Sequence, residues 1–303
     1  MTKRILITDP IDEEGIKILK KYFDVDVKTE LKEDEIVKII KNYDALIVRS
    51  ATKVTKKIID ASNLKVIGRA GTGLDNIDVE AAKAKGIAVL NSPIGNVVSV
   101  AELVFGMMIS LSRNLIKANI SMKSGKWEKK GLMGNELYGK TLGIIGLGRI
   151  GKEVAKIALA FGMHVIAYDP FIKEVENVKL VSLDELLEKS DFITIHVPLT
   201  DETKNLIGKN EIEKMKKGVK IINTSRGGII NEDTLYDALV SGKIAGAALD
   251  VFENEPPFGT KSEKLLNLDN VIVTPHIGAS THEAQRKCGI EIAENILKFF
   301  GNK

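Results

Sequence analysis

The stretch "TLGIIGLGRIGKEVA", residues 141–155, joins a run of apolar residues to three glycines, Gly146, Gly148 and Gly151, in the spacing GxGxxG. The apolar run predicts a buried strand, and the segment from residue 149 predicts a helix. Each glycine between them serves a physical need: Gly146 permits a tight turn, Gly148 lets the backbone approach a pyrophosphate, and Gly151 lets helix and strand pack closely. The amides at the helix start then face the phosphates. The stretch therefore predicts a dinucleotide-binding loop.

The next apolar run, "HVIAYDP", ends in an acid, Asp169. This acid follows Gly148 by about 20 residues, the usual distance for a carboxylate that accepts hydrogen bonds from the adenosine ribose hydroxyls. A carboxylate there would repel a 2′-phosphate. The predicted cofactor is therefore NAD and not NADP.

Short apolar runs alternate with amphipathic segments on both sides of this loop, a pattern typical of parallel sheets with crossover helices. Downstream, "FITIH", "VKIINT", "AGAALD" and "VIVTP" bring the strands of this series to six, the number in a full dinucleotide-binding sheet. Cap signals at Ser182 with Glu185, and at Asn231, predict two helix starts. Upstream, "RILITD", "ALIVRS" and "KVIGRA" predict strands, while "DEEGIKILKKYF" and "KEDEIVKIIKNY" predict helices. The fold class is α/β with two doubly wound parallel-sheet domains.

Between the two series, residues 97–122 predict one long helix whose first half, "VVSVAELVFGMMISLS", is apolar nearly all round. Such a helix must be buried on most sides. The pattern alone leaves two interpretations open, a core helix or a subunit interface. Glu102 interrupts the run, which falls short of a membrane span.

Composition excludes several classes of protein. The 303 residues carry 44 basic and 41 acidic side chains, and a net charge of +3 is too balanced to indicate nucleic-acid binding. The single Cys288 excludes a disulfide framework and a cysteine zinc cluster, so no metal site is predicted, and it fits a reducing compartment. The first strand signal begins at residue 3, which predicts no signal peptide and a cytoplasmic location.

The chain has four histidines, and an enzyme that oxidises an alcohol needs a base for the hydroxyl proton. Ligands of such sheets bind beyond the carboxyl ends of the strands. His276 in "VIVTPHIGAS" and His196 at the end of "FITIH" lie at such ends, whereas His164 precedes its strand and His282 falls in a predicted exposed helix. His276 and His196 therefore both remain candidates, and the short loop around His276, stiffened by Pro275, favours His276.

An imidazole that acts as acid and base works better beside a carboxylate, which fixes its tautomer and stabilises the imidazolium. The loop "AALDVFENEPPF" supplies Glu255 with proline directly behind it. Glu253 lacks that rigid proline, and Asp250 at the strand end could instead face the nicotinamide. Glu255 is the predicted partner.

The stretch "VKIINTSRGGIIN", residues 219–231, places Arg226 on a glycine turn after a strand of the same sheet. Only seven of the 44 basic residues are arginine. In such a lysine-rich chain, an arginine at this place suggests that the planar fork is needed to pair with a carboxylate. Gly227 and Gly228 would permit a close backbone approach. A helix-capping or interdomain salt bridge is the alternative.

Five motifs in order, "LGIIGLGRIGKEVA", "DFITIHVPLT", "INTSRGGIINE", "AALDVFENEPP" and "TPHIGAST", resemble those of the D-isomer-specific 2-hydroxyacid dehydrogenases. The resemblance implies an NAD-dependent oxidoreductase with the catalytic set Arg226, Glu255 and His276. It also implies a Rossmann cofactor domain, residues 95–275, inserted into a flavodoxin-like substrate domain, residues 1–94 and 276–303. The helix at 97–122 is then similar to the family's dimer-forming segment, so a homodimer, or a tetramer built from it, is expected.

Further site residues are predicted for the two domains. The predicted cofactor contacts are Thr72, Gly146, Gly148, Arg149, Ile150, Gly151, Asp169, His196, Val197, Pro198, Thr224, Ser225, Asp250, Gly278 and Ala279. The predicted substrate contacts are Arg49, Ser50, Arg69, Gly71 and Gly73.

Motifs such as "VRSATKVT", "GRAGTGLDNID" and "SMKSGKWEKKGLMGNEL" are most similar to the branch of the family that oxidises 3-phospho-D-glycerate, the first step of serine biosynthesis. A phosphorylated substrate needs additional positive charge, which Arg49 and Arg69 are expected to supply, with Lys129 and Lys130 as further sources. Because the chain stops soon after the last predicted helix, feedback inhibition by serine is not expected. The alternatives are a glyoxylate or hydroxypyruvate reductase and, in another class, an NADH-responsive corepressor.

Overall fold

A computed structural model describes residues 2–301 of the chain. The chain divides into two compact units, Met1–Ser99 with Ala279–Lys303 (unit 1) and Val100–Gly278 (unit 2). Unit 2 is thus an insertion in the sequence of unit 1.

The unit boundaries differ by a few residues from the predicted ones at 94/95 and 275/276, for physical reasons. The amides of Ile94 and Gly95 donate to the carboxylate of Glu291, which belongs to the last helix of unit 1. The second boundary lies after Gly278 because Asp250 of unit 2 accepts the amides of Ile277 and Gly278. His276, predicted in the substrate domain, therefore belongs to unit 2.

Unit 1 is a five-stranded parallel sheet with helices on both faces. Its strands have the order β2-β1-β3-β4-β5, which is flavodoxin-like and confirms the predicted class. The strands are β1 Arg4–Ile7, β2 Asp24–Val27, β3 Ala45–Val48, β4 Val66–Arg69 and β5 Ala88–Asn91; the helices are α1 Glu13–Lys20, α2 Glu33–Ile39, α3 Lys56–Ala61 and α4 Val79–Ala84, with a 3-10 turn at Ile40–Asn42. The last helix of the chain (α12 below) completes one apolar layer with Ile292, Ala293 and Ile296.

Unit 2 is a seven-stranded parallel sheet in the order β12-β11-β10-β9-β6-β7-β8. The predicted six strands are all present, and the seventh is a two-residue edge strand. The strands are β6 Thr141–Ile145, β7 His164–Tyr168, β8 Lys179–Leu180, β9 Phe192–Ile195, β10 Val219–Asn223, β11 Ile244–Leu249 and β12 Val271–Val273. The helices are α5 Val97–Arg113, which begins in unit 1, α6 Leu115–Lys123, α7 Arg149–Ala160, α8 Leu183–Lys189, α9 Lys209–Lys214, α10 Glu232–Val240 and α11 Glu263–Leu266; a 3-10 turn lies at Lys130–Leu132 and α12 is His282–Phe299.

The two predicted caps are confirmed, but the single long helix at 97–122 is wrong. Ser182 accepts the amide of Glu185 and Asn231 accepts that of Thr234. The long helix is instead two helices, α5 and α6, bent by 66°. Asn114 separates them because its φ of 53° is left-handed and cannot continue an α-helix.

Helix α5 packs in the core of unit 2 through residues such as Val104 and Met108. The core interpretation is therefore confirmed for α5. Among residues 2–301, no single helix is long and apolar enough to cross a membrane; only the bent pair α5 and α6 passes when the two are taken together.

Candidate active site

The predicted catalytic residues lie just past the carboxyl ends of three consecutive strands of unit 2. Arg226 follows β10, Glu255 follows β11, and His276 follows β12. These strands are neighbours in the order β12-β11-β10 and run parallel, so their carboxyl ends lie side by side. The topology alone thus collects the three side chains at the end of the sheet where ligands bind.

His276 and Glu255 form a direct pair. The Nδ1 atom of His276 lies 2.8 Å from Oε2 of Glu255, so the carboxylate accepts the Nδ1 proton and Nε2 is left for a substrate. The other oxygen of Glu255 accepts the amide of Phe252 at 3.1 Å. Partial burial pushes the pKa of Glu255 up, but the hydrogen bond and charge of His276, the Phe252 amide and the charge of Arg226 hold that pKa below its usual value. Glu255 is therefore a carboxylate at neutral pH.

The turn that carries His276 has an unusual backbone conformation. His276 adopts a φ of 54°, in the left-handed region that non-glycine residues rarely occupy. Its amide donates to the carbonyl oxygens of Asp250 at 2.9 Å and Thr274 at 3.0 Å. Strained backbone of this kind persists only where surrounding contacts enforce it.

Asp250 supplies those contacts. Its side chain is fully buried and accepts three hydrogen bonds from the His276 turn: Thr274 Oγ1 at 2.5 Å, and the amides of Ile277 and Gly278, both at 2.8 Å. Burial raises the pKa of Asp250, opposed by these hydrogen bonds and by the charge of His276. Asp250 thus holds the His276 turn in place, a role that the sequence did not reveal. Its predicted contact with the cofactor stays a prediction.

Arg226 lies on a turn organised by the end of β10. Asn223 donates from Nδ2 to the carbonyl of Arg226 at 2.8 Å and accepts the amide and hydroxyl of Ser225. Gly227 is packed so tightly that a Cβ atom there would lie 1.9 Å from the carbonyl oxygen of Phe252. Gly227 therefore packs closely against the loop that carries Glu255, whereas the approach to a bound carboxylate predicted at the glycine pair stays a prediction.

Gly227→Ala is expected to destabilise the protein by about 1–3 kcal/mol, because the added methyl group must displace the Phe252–Glu253 peptide. Chemical denaturation followed by circular dichroism measures this change. Gly106→Ala is the matched control, since a Cβ at Gly106 meets open space within α5. Equal stability of the two variants would contradict the packing described here.

The glycine loop after β6 has the geometry that its spacing predicts. Gly146 has a φ of 93°, and a Cβ there would lie 2.7 Å from the carbonyl oxygen of His196. A Cβ at Gly151 would lie 2.2 Å from the carbonyl oxygen of Gly146, whereas one at Gly148 would meet nothing within 4 Å. The loop therefore packs tightly against neighbouring backbone at Gly146 and Gly151 and leaves space at Gly148, just before α7 begins. Arg149 and Ile150 form the first turn of that helix.

Two further polar groups fit a dinucleotide. The carboxylate of Asp169, just past β7, accepts the amides of Leu147, Phe171 and Ile172, which fixes it beside the glycine loop. The hydroxyl of Thr224, just past β10, is buried and has no hydrogen-bond partner among residues 2–301. An unsatisfied buried hydroxyl is costly, so a ligand that bonds to it is favoured. These residues, with the open start of α7, fit NAD.

His196 is now distinguished from His276. Its Nε2 lies 3.0 Å from the hydroxyl of Thr194, and desolvation lowers the pKa of His196 to about 3. A ring that stays neutral throughout the physiological range cannot store a proton there. Val197 and Pro198 follow it past β9, at the same edge. His164 and His282 are exposed, at the start of β7 and the start of α12.

The predicted contacts in unit 1 lie at the end of β4 and in the segments after β3 and β4, except Ala279, which lies shortly before α12. Arg69 donates from Nε to the carbonyl of Arg49 at 3.0 Å and from a terminal nitrogen to that of Gly73, so it braces the Gly71–Gly73 loop. Thr72 in that loop donates to Asn96. Ser50 is exposed, and Ala279 accepts a hydrogen bond from Gln285.

Arg49 is half-buried, and its guanidinium makes no hydrogen bond or ion pair within the described part of the chain. Burial lowers the pKa of Arg49, opposed by Cys288 and the carboxylate of Asp9. Asp9 itself, which the sequence analysis missed, accepts the amides of Arg49, Ala51 and Thr52 and so fixes the backbone that presents Arg49.

Comparison with known proteins supplies the family. Residues 105–278 match the model described as D-isomer specific 2-hydroxyacid dehydrogenase, NAD binding domain. The chain is 56% identical over 301 residues to a hydroxypyruvate reductase of Thermotoga maritima, covering 98% of both chains. It is 55% identical over 301 residues to a D-3-phosphoglycerate dehydrogenase of Methanocaldococcus jannaschii, covering 97% of this chain but only 57% of that protein.

A solved structure agrees with these sequence relatives. D-lactate dehydrogenase from Aquifex aeolicus, complexed with NAD and lactic acid, superimposes with a TM-score of 0.86 at 32% identity over 98% of this chain and 95% of that chain. The chain belongs to the D-isomer specific 2-hydroxyacid dehydrogenases and is an NAD-dependent oxidoreductase of that family.

Proposed function

We propose that the enzyme oxidises 3-phospho-D-glycerate to 3-phosphohydroxypyruvate with NAD, and catalyses the reverse reaction. The observation that carries the proposal is the half-buried guanidinium of Arg49, which lacks a hydrogen-bond or ion-pair partner within residues 2–301. A desolvated cation needs an anion, and a guanidinium suits a phosphate. Relatives named D-3-phosphoglycerate dehydrogenase that cover nearly all of this chain add support. Arg69 and Ser50 are assigned to the same anion, with the Gly71–Gly73 loop beside them.

A second candidate is the reduction of hydroxypyruvate, which carries no phosphate. The 56% identity over 301 residues to the hydroxypyruvate reductase of Thermotoga maritima favours it. The two candidates differ by one charged group on the same carbon skeleton.

The two candidates are separated by comparing 3-phosphohydroxypyruvate, hydroxypyruvate and glyoxylate as substrates with NADH. We expect kcat/KM to be at least about ten-fold higher for the phosphorylated compound, because a charge-assisted hydrogen bond contributes about 1.5–3 kcal/mol. Arg49→Gln should remove that preference and leave the unphosphorylated substrates unaffected. Equal or better turnover of hydroxypyruvate by the wild-type enzyme would refute the phosphoglycerate assignment and support the second candidate.

The mechanism we propose uses the three residues of unit 2. Arg226 pairs with the substrate carboxylate and so fixes the hydroxyl-bearing carbon. During oxidation, Nε2 of His276 takes the hydroxyl proton while the bond from carbon to hydrogen breaks. NAD, which the glycine loop and Asp169 would hold, would supply the acceptor for that hydride. Glu255 stabilises the imidazolium that results, and during reduction the imidazolium donates its proton to the oxygen of the ketoacid.

Glu255→Gln is expected to lower kcat by about ten- to a hundred-fold, less than the roughly 10²- to 10⁴-fold that a general acid–base group contributes. Without the carboxylate the imidazolium of His276 is less stable and loses its proton more readily. Because reduction of a ketoacid needs the imidazolium as proton donor, we expect kcat to begin falling at a lower pH than in the wild type as the pH is raised. In the wild type, the pKa of Glu255 is lowered, so Glu255 stops stabilising the imidazolium only when the pH falls through that lowered pKa.

The pH profile of kcat, measured with NADH and a 2-oxo acid, checks this shift. Glu253→Gln is the matched control, because Glu253 lies two positions away in the same loop and pairs with Lys261 instead. An unmoved profile in Glu255→Gln would refute the role proposed for the pair.

We further propose that the enzyme is a homodimer joined through α6 and the segment that follows it. Exposed apolar side chains are concentrated there, including Trp127 at 81% and Met133 at 89% exposure; the others are Leu115, Ile116, Ile120, Met122 and Tyr138. Exposed apolar surface of this extent supports a protein interface. Light scattering after gel filtration should give the mass of a dimer or of a tetramer built from it.

Ile120→Lys is expected to yield monomers at micromolar concentration, because it buries a charge in the proposed interface. The control is Val240→Lys, since Val240 at the end of α10 is equally exposed, 61% for both residues. Dimers that survive Ile120→Lys would rule this surface out.

We also propose a cytoplasmic location, which rests on the free Cys288, because a free cysteine fits a reducing compartment.

A further inference from the structure

A buried acid near the proposed active site has no part in the mechanism above. Glu232 is the first residue of α10 and is only 4% exposed. One of its carboxylate oxygens accepts the amide of Glu253 at 2.6 Å, and the other accepts the hydroxyl of Ser262. Ser262 is itself fully buried. Both partners belong to the loop that presents Glu255.

The contacts of Glu232 continue without a break to His276. The amide that Glu232 binds is part of the Phe252–Glu253 peptide, whose carbonyl side rests on Gly227. Phe252 supplies the carbonyl of that peptide, and its own amide donates to the carboxylate of Glu255. Glu255 in turn pairs with His276. Three hydrogen bonds therefore connect the start of α10 to the imidazole.

Helix α10 is also tied to the turn of Arg226. Only five residues, 227–231, separate Arg226 from Glu232, and Gly227 in that stretch packs on the same peptide that Glu232 holds. The segment 226–232 thus contacts the Glu255 loop twice, through the packing of Gly227 and through the carboxylate of Glu232. A shift of this loop would move Glu255 relative to both Arg226 and His276.

We propose that Glu232 is a positioning residue for the reaction: its buried carboxylate fixes the loop from which Glu255 reaches His276. The inference rests on the roles proposed above for Glu255 and His276. Helix stabilisation alone does not account for the geometry, because an acid in the first turn stabilises a helix while exposed to solvent, as its neighbour Asp233 does in an exposed pair with Lys264. Lys261 in the loop pairs with Glu253 at 2.7 Å and interacts with Glu232 only through its charge.

Two substitutions at this position separate positioning from charge. Glu232→Asp keeps the negative charge at the helix start, but its carboxylate is one methylene too short to hold both the Glu253 amide and Ser262. Glu232→Gln keeps the length, accepts the Glu253 amide through its oxygen and donates to Ser262 through its nitrogen. Asp233→Asn is the matched control, because it removes an exposed charge from the next position of the same helix turn.

We expect Glu232→Asp to lower kcat by about ten- to a hundred-fold, the effect of displacing a reacting group by a fraction of an ångström to an ångström. Its pH profile in ketoacid reduction should move to lower pH, as for Glu255→Gln, while the Kd for NADH, measured by fluorescence, changes less than about two-fold because α7 is untouched. Glu232→Gln and Asp233→Asn should keep kcat within about three-fold of the wild type and leave the profile in place.

The proposal is overturned if Glu232→Asp keeps the wild-type kcat and pH profile, or if it merely lowers the melting temperature. It is also overturned if Glu232→Gln loses as much activity as Glu232→Asp with the same shift, since charge rather than position would then be at work. Glu255→Gln serves as the reference. If that variant shifts the profile and Glu232→Asp does not, only the Glu232 inference is wrong; if neither does, the proposed pair has failed.

Discussion

His276→Asn is expected to lower kcat by about 10²- to 10⁴-fold in both directions, because the substitution removes the group that takes and returns the substrate proton. Asparagine is the informative replacement. The backbone at His276 has a left-handed φ of 54°, which asparagine adopts more readily than alanine or glutamine. The three hydrogen bonds to Asp250 from Thr274, Ile277 and Gly278 do not involve the imidazole and should persist.

Steady-state kinetics with NADH and a 2-oxo acid measures this loss, and NADH binding followed by fluorescence shows whether the cofactor site is intact. His164→Asn is the control, since His164 is exposed at the start of β7 and lies at the opposite end of the strands. Activity within a few-fold of wild type in His276→Asn would assign the proton transfer to another group. The low pKa of His196 leaves that residue poorly suited to the task.

Arg226→Lys is expected to lower kcat/KM by about a hundred-fold, mainly through KM, although the positive charge remains. A guanidinium binds a carboxylate through two parallel hydrogen bonds, and losing one charge-assisted bond with its alignment costs about 3 kcal/mol. The turn offers no second cation of suitable geometry, and Arg226 donates to the carbonyl of Ser225 from one terminal nitrogen. The shorter reach of lysine also weakens the field that helps to lower the pKa of Glu255.

The measurement is the dependence of rate on ketoacid concentration at saturating NADH, with Arg113→Lys as a control at an exposed position at the end of α5. A KM within two- to three-fold of wild type for Arg226→Lys would mean that charge alone holds the substrate, or that the carboxylate lies elsewhere. That outcome would overturn the bidentate role proposed for Arg226.

The fold was predictable because its strands are dense apolar runs with marked ends. Strand β10 and its neighbours could be located in the sequence for this reason. Strand β2, "DVDV", was missed because it lies at the edge of its sheet and alternates with acids, and β8 was missed because it has only two residues. The break at Asn114 was missed because a left-handed asparagine leaves no mark in an apolar periodicity.

The site divides in a similar way. Residues at the ends of parallel strands could be predicted because topology brings those ends together, and the structure places His276 against Glu255. Asp250 and Glu232 act through contacts with loops 20 or more positions away, so no local pattern shows which loop they hold. For Glu232 the available signal was an acid at the first helical position behind a capping asparagine, and such an acid usually faces solvent.

In unit 2, the glycine loop and the three proposed catalytic residues lie in different stretches of the sequence. The glycine loop follows β6 and Asp169 follows β7, whereas Arg226, Glu255 and His276 all lie within residues 219–278, one uninterrupted stretch that builds β10 through β12. A single recombination event, or one synthetic gene fragment, can therefore exchange Arg226, Glu255 and His276 together while the glycine loop and Asp169 stay unchanged. Thr224, whose buried hydroxyl fits the cofactor, is exchanged with them. Relatives with other ketoacid preferences are natural donors for such chimaeras.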